Sequence, residues 1–427
     1  MDLKENSISI FGKNQDKLLQ VKGLNRSASM TDFESMGFPN SKMEKWQKSN
    51  IRKVLKKDYI FKLTAKPASV STPLDPGFDV VGTVGFQNAS YTGSTNLTKT
   101  AQGVLFGSLE AAMAEYPAIV EQHLNKYIKE KLNGLNALNN ALFTNGFFLY
   151  VPKNTTVELP LYFYNKMTET EASFSQFRNL MIVEGGSTVN VIHSDLGIEK
   201  GSAFVNSVSE IFVGQNAELN WYREQDLGKE ESLINSVFCY QERDSRFKVI
   251  NTSLSGSMIR NDVHVKMDGE GCYSDILGLY LPYSGEQVDN QVFVEHAKPN
   301  CISNELFKGV LDGNGTSIFN GHILVKQDAQ KTNAYQTNRN IVLSDDASAF
   351  AKPFLEIYAD DVKCSHGATI GQLDQKALFY LRSRGLSEDT AKSFLIKAFV
   401  GEVLEACGHD IFRENVELKV KKKLENK

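Results

Sequence analysis

From about Gly146 to Gln372 the chain repeats one pattern, short runs of alternating apolar and polar side chains, each ended by a turn signal. GFFLYVP, VELPLYFYN, NLMIVEGGSTVNVIH, SEIFVGQNAELNWYRE, SRFKVINTSLSG, GCYSDILGLYLP and TSIFNGHILVKQ all follow it. A period of two belongs to a strand with one face turned to a core. Turn signals stand at Gly185-Gly186, Gly214, Arg243-Asp244, Gly269, Lys298-Pro299 and Asp345-Asp346, often about 26 to 30 residues apart, which is the signature of stacked coils. Each coil of such a stack leaves its apolar face open until the next covers it, so a long all-β segment needs no domain break. A β-sandwich satisfies the same alternation, and pattern alone leaves it open.

The flanks read differently. Phe33 to Lys57, rich in Lys, Glu, Met and Gln with Pro39 and Ser41 near its front, predicts a surface helix. Pro67, Pro73, Pro76 and the glycines between Val80 and Gly93 predict a short strand pair or a loop. Leu105 to Ile128 spaces its apolar residues as an amphipathic helix does, with a break or kink at Pro117. After the strands, Asp374 to Ser383 and Ser387 to Cys407 predict two helices, with Gly385 as a stop and Ser387 as the next N-cap. The second carries Phe394, Leu395, Ala398, Phe399, Val403 and Leu404 along one face, more apolar surface than a free tail keeps exposed. The ending LKVKKKLENK reads as a basic, frayed tail.

A chain of 427 residues with 41% hydrophobic content can bury a large core. Its 51 acids and 47 bases, net charge -4, are spread along the length, so no basic face meets nucleic acid or anionic lipid. No apolar run approaches the roughly 18 residues of a membrane helix, and MDLKENSISIFGKNQDK lacks the apolar stretch of a secretory signal, so the expected location is the cytoplasm. Five scattered cysteines, Cys239, Cys272, Cys301, Cys364 and Cys407, are the opposite of a secreted disulfide framework. The P-loop, the G-x-S-x-G elbow and the H-E-x-x-H pair are all missing from the sequence. Any ATP dependence would come from a partner.

Cys364 and His366 stand two apart in a strand-like run, so both side chains face the same way. A thiol and an imidazole are ligand types that iron and zinc accept, and a nearby imidazole can also activate a thiol. Two ligands do not close a site, and no second Cys/His pair with finger-like spacing is present, so the remaining donors would come from another chain. On spacing alone, a small buried Cys364 and a hydrogen-bonded turn histidine stand as the other reading. Asp360 and Asp361, being adjacent, point to opposite strand faces and cannot cooperate as acid and base. His193, His264, His296 and His322 have no companion at ligand spacing and read as structural, His322 least firmly. Cys239 and Cys272 read as core, Cys301 as a turn residue and Cys407 as a helix end.

NRNIVLSDDASA (Asn338 to Ala349), EIYADDVKCSHGAT (Glu356 to Thr369) and FYLRSRG (Phe379 to Gly385) occur in this order and resemble the SufD family of iron–sulfur assembly proteins. FPNSKMEKWQKSNI (Phe38 to Ile51) and LNNALFTNGFFLYVPKN (Leu138 to Asn154) are weaker signatures upstream. The resemblance implies a mainly β chain. A helical N-terminal region over 1–140 would lead into a right-handed parallel β-helix over 141–369, followed by a helical docking domain over 370–427. It implies a non-catalytic subunit that pairs with the scaffold SufB through its last strands. His366 and Cys364 would then be ligands shared with that partner for transient iron or a nascent cluster, with nothing held stably by this chain alone. It also implies that the ATPase SufC docks on the C-terminal helices, where Phe379, Tyr380, Leu381, Arg382, Arg384 and Gly385 match, although those residues could equally pack the hairpin on the last coil. A homodimer through the same edge, and a reduced flavin in the complex, are left open. The alternatives are a SufB-like scaffold, a carbohydrate-active β-helix enzyme and a purely structural β-helix; the CSHGAT form followed by GQLD and the few cysteines favour the SufD type.

Overall fold

Left-handed residues set the coil. Asn154, Gly186, Asn216, Asp244, Gly271, Asn300 and Lys331 all have φ between 55° and 73° and recur at one corner of seven successive turns, a conformation open to Gly and tolerated by Asn and Asp. They stack so closely that a Cβ on Gly271 would sit 2.2 Å from the Asp244 carboxylate. Five of the six turn signals belong to this corner. Asp345-Asp346 falls at the opposite one, between strands Thr332–Val342 and Ser348–Ile357.

The computed structural model describes residues 3–15, 18, 21, 24–61, 74–128 and 133–425. Its centre is a parallel β-solenoid of two facing sheets. One stacks Phe147–Val151, Ser173–Val183, Ala203–Val213, Ser232–Gln241, Met258–Met267, Gln287–His296, Thr316–Val325 and Ser348–Ile357. The other stacks Leu161–Lys166, Thr188–Leu196, Glu218–Asp226, Arg246–Ser255, Tyr273–Tyr280, Ile302–Leu311, Thr332–Val342 and Val362–Gly371. Each strand pairs in parallel with the strand one coil away, so the alternative of a sandwich is excluded and the lumen fills with Val, Ile, Phe and Trp221.

At the first end the sheets turn antiparallel. Ser90–Tyr91 pairs on Gly82–Gln87 and Thr98–Lys99 on Leu105–Ser108, which puts Phe86 and Phe106 into the lumen. The strand pair expected near Val80 to Gly93 is present, as is Pro76, while Pro67 and Pro73 lie outside the described residues. The amphipathic segment differs from expectation: Leu105–Ser108 is a strand, and two short helices, Leu109–Glu115 and Pro117–His123, follow. Pro117 opens the second, where its missing N–H costs nothing. The helix expected from Phe33 also shifts, running Arg26–Met36 and stopping at Gly37, with only short pieces at Glu44–Trp46 and Ile51–Leu55 beyond.

The N-terminal segments cover the outer face of the first sheet. Trp46 lies under the Arg260 guanidinium at 3.7 Å, the Lys45 backbone carbonyl accepts from Arg260 at 3.0 Å, and Arg260 pairs with buried Asp289. Helix Gly134–Leu142 is buried along its length, and Asn139 bonds the backbone of Phe177 and Asn206. Buried Glu210 pairs with Arg178 at 2.6 Å and accepts the backbone N–H groups of Asn125, Lys126 and Tyr127.

Three C-terminal helices follow, of which Glu388–Glu405 and Asp410–Glu425 cover the outer face of the second sheet and Gln375–Ser383 packs on Glu388–Glu405. Glu388–Glu405 is capped by Ser387, as the sequence predicts, and Gln375–Ser383 by Asp374, which was expected as the first residue of that helix rather than its cap. The surface that docks uses Ile396, Val400, Val403 and Leu404 against Tyr222, Ile250 and Leu277; Phe394 and Ala398 face outward instead. The tail is not frayed through Glu425, and the last two residues of the expected tail lie outside the described residues. Asp410–Glu425 is a helix that buries Phe412, Val416 and Val420, and its Lys419 and Lys423 reach Glu224, Asp226 and Glu286 on the solenoid. These lysines lay their methylene stems on apolar surface while their heads find acids, so a basic composition coexists with packing.

Candidate functional site

The last coil ends the solenoid without a cover. Ser348–Ile357 and Val362–Gly371 are the terminal strands of their sheets, and among the described residues no strand pairs with their outer edges. A bare edge presents a row of unpaired N–H and C=O groups. Large apolar side chains accompany it: Phe350, Phe354, Ile357, Tyr358 and Ile370 are all exposed.

Cys364 and His366 sit on that last strand, on one face, as their spacing predicts. Cys364 is half-buried against the luminal core, and its neighbour one coil back is Ala334. His366 faces the same side but is exposed, because no further coil lies over it; the residue beneath it is Gln336. Burial pushes the Cys364 thiol up, and the Ala334 backbone opposes this only in part, so the thiol is not an activated thiolate. Among the described residues no cluster of three or more His, Cys, Asp or Glu side chains surrounds a common point.

Beneath this strand the lumen changes character. Gln336, Asn338 and Asn340 point inward from Thr332–Val342, all buried, and Tyr280 Oη bonds Asn338 and Asn340 at 2.8 Å each. Gln336 donates from Nε2 to Glu305 at 2.7 Å, and burial pushes the Glu305 carboxyl up to about 8 despite that bond. Sequence reasoning passed over Glu305 and Gln336 because their alternation matches any inward position; only alignment by coil would have singled them out.

The FYLRSRG segment lies on helix Gln375–Ser383 and its end. Phe379 is 75% exposed and Tyr380 56%, Arg382, Arg384 and Gly385 are exposed, and Leu381 is half-buried. Arg384 stacks 5.2 Å from the Tyr380 ring, and Arg382 pairs with Glu388 at 3.3 Å. The aromatic pair therefore faces solvent rather than the last coil.

The remaining polar residues are internal fittings. His193 stacks on Trp221 and lies 3.5 Å from Asp195; His264 pairs with Asp262 at 3.0 Å. His296 shares a hydrogen bond with Ser303, and burial lowers it to about 3. His322, half-buried between Phe293 and Phe354, pairs with Glu356 at 3.0 Å. Asp360 and Asp361 occupy the turn before the last strand rather than the strand itself, exposed, with Asp361 tied by its backbone to Lys331 and Gln330. Cys239 and Cys407 are buried, and Cys272 and Cys301 meet at a corner of successive coils rather than within strands.

Comparison with known proteins places this arrangement. The SufBD core domain model of the SUF system for FeS cluster assembly matches residues 165–399, and the SufBD N-terminal region model matches 1–163. The chain belongs to the SufBD family. It is 34% identical over 297 residues to an iron–sulfur cluster assembly SufBD family protein of Synechocystis, covering 66% of this chain and 65% of that relative. It is 30% identical over 309 residues to SufD of Bacillus subtilis, 71% of this chain and 70% of that one, and 32% identical over 258 residues to SufD of Escherichia coli, 60% of each. The alignments thus span just under two thirds of the Synechocystis and Escherichia coli SufBD proteins. Among the described residues no helix is long and apolar enough to cross a membrane.

Proposed function

We propose that this SufBD family member is a SufD-type, non-catalytic subunit of a SufBCD-type iron–sulfur cluster assembly complex. The observation that carries the reading is the uncovered last coil, where two ten-residue edge strands carry exposed His366 and half-buried Cys364. An edge of this kind takes a partner by strand addition, and a SufB-like scaffold is the partner the family membership supports. Iron or a nascent cluster is then the cargo at the seam. His366 offers an imidazole, Cys364 a thiol once deprotonated, and the scaffold the remaining donors. The exposed Phe379 and Tyr380, with Arg384 held against Tyr380, form the surface for a SufC-like ATPase.

The test is native mass spectrometry after anaerobic coexpression with SufB-like and SufC-like proteins of the same source. A complex of one copy of this chain, one scaffold and a pair of ATPase subunits is expected. A chain that stays alone or pairs only with itself removes the partner assignments, and self-pairing through the same edge would identify a homodimer instead.

A further inference from the structure

One luminal column of the second sheet runs through successive coils as Trp221, Val249, Ile276, Glu305, Gln336 and His366. It is apolar until the three positions nearest the open end. Glu305 is 2% exposed and Gln336 1%, and burying such groups is unfavourable unless they are bonded. The facing sheet makes room for them. There the column Val263, Val292 gives way to Gly321, and a Cβ on Gly321 would sit 2.1 Å from Gln336 Nε2. A glycine on one wall and a buried polar pair on the other are two separate departures from apolar filling, and they meet at one level.

The bonding within the column has a direction. Gln336 gives its Nε2–H to Glu305, which leaves Oε1 as the free end of the amide; that oxygen is buried and has no partner. One coil spacing further, about 4.8 Å, stands His366. A ligating histidine commonly donates its second ring N–H to a carbonyl or carboxylate, which fixes its tautomer and ring orientation.

We propose that Gln336, itself oriented by Glu305, is a positioning residue for His366, its Oε1 accepting one imidazole N–H so that the other ring nitrogen keeps its lone pair toward the partner face. This rests on His366 being a ligand, but it is tested without metal or partner. The full chain, carrying ring-¹⁵N histidine, is studied by long-range ¹⁵N–¹H correlation NMR at a pH near 8, where a free imidazole is neutral. The His366 signal is assigned by its loss in His366→Ala. Wild type is expected to show one protonated and one unprotonated ring nitrogen, well separated. Gln336→Met, similar in size, collapses that separation to an average, and Gln336→Glu, which restores an acceptor, recovers it. Averaged nitrogens in the wild-type chain overturn the proposal whatever the variants do, and so does an unchanged single tautomer in a folded Gln336→Met. A fixed tautomer together with unchanged iron in His366→Ala complexes would leave the positioning standing and remove the ligand role instead.

Discussion

The two ends of the solenoid are built on opposite principles. At the first, the sheets reverse into antiparallel pairs whose outermost strands, Ser90–Tyr91 and Thr98–Lys99, are two residues long, and Phe86 and Phe106 plug the lumen. At the last, each sheet ends in a ten-residue strand, the first with exposed Phe350 and Phe354 and the second with exposed Ile370, above a polar lumen. Short edges and plugs are how β proteins avoid unwanted pairing. Their presence at one end and absence at the other shows that the open end is the exception the sequence maintains, and that is where the candidate ligands lie.

Near the closed end the N-terminal segments are tied to the outer face of the first sheet by a buried ion pair, and breaking it should be costly. Arg178→Ala leaves the buried Glu210 carboxylate with only the backbone N–H groups of Asn125, Lys126 and Tyr127, and should destabilise the fold by about 3 to 5 kcal/mol, read by urea unfolding. A loss below 1 kcal/mol would show that this covering is not rigidly tied.

The luminal acid at the open end should behave in the reverse sense. Glu305 holds its proton to about 8 in the folded chain against an ordinary 4.5, so the unfolded chain releases it first. Stability contributed by the neutral form is complete below about 4.5 and is lost as pH rises toward 8. Glu305→Gln should therefore stabilise the protein by about 3 kcal/mol at pH 7 and leave it unchanged near pH 4, measured as paired thermal melts. Equal melting shifts at both pH values would contradict the buried-acid assignment.

The smallest effects on folding are expected where function is placed. His366→Ala and Phe379→Asp remove exposed side chains and should each change stability by less than about 0.5 kcal/mol. His366→Ala should lower the iron recovered with the assembled complex, and Phe379→Asp should prevent retention of the ATPase while scaffold pairing persists. Unaltered iron in the first, or unaltered retention in the second, would detach that function from its residue.

Much of the architecture was legible in the sequence because local chemistry forced it. A left-handed corner favours Gly, Asn or Asp, which fill it in six coils with Lys331 the exception, so the coil spacing is largely written in those residues, and Ser387 announces its helix because a cap must accept backbone N–H groups. The final helix was missed because Phe412, Val416 and Val420 are thinly spaced among lysines whose acidic partners stand on strands far away in the chain. Leu105–Ser108 was missed because its apolar residues serve a strand as well as a helix; pairing with Phe147–Val151 decides it. At the candidate site, the shared face of Cys364 and His366 follows from period two, whereas the uncovered edge that exposes His366 is a property of the whole stack.

A solenoid plugged at one end and bare at the other has a valence of one. Two such units meeting edge to edge consume both bare edges, and what remains outside is a pair of plugs, so the assembly ends there and cannot lengthen into a fibre. Strand addition, which in an unplugged stack would propagate without limit, would in such a pair be a stop signal that counts to two.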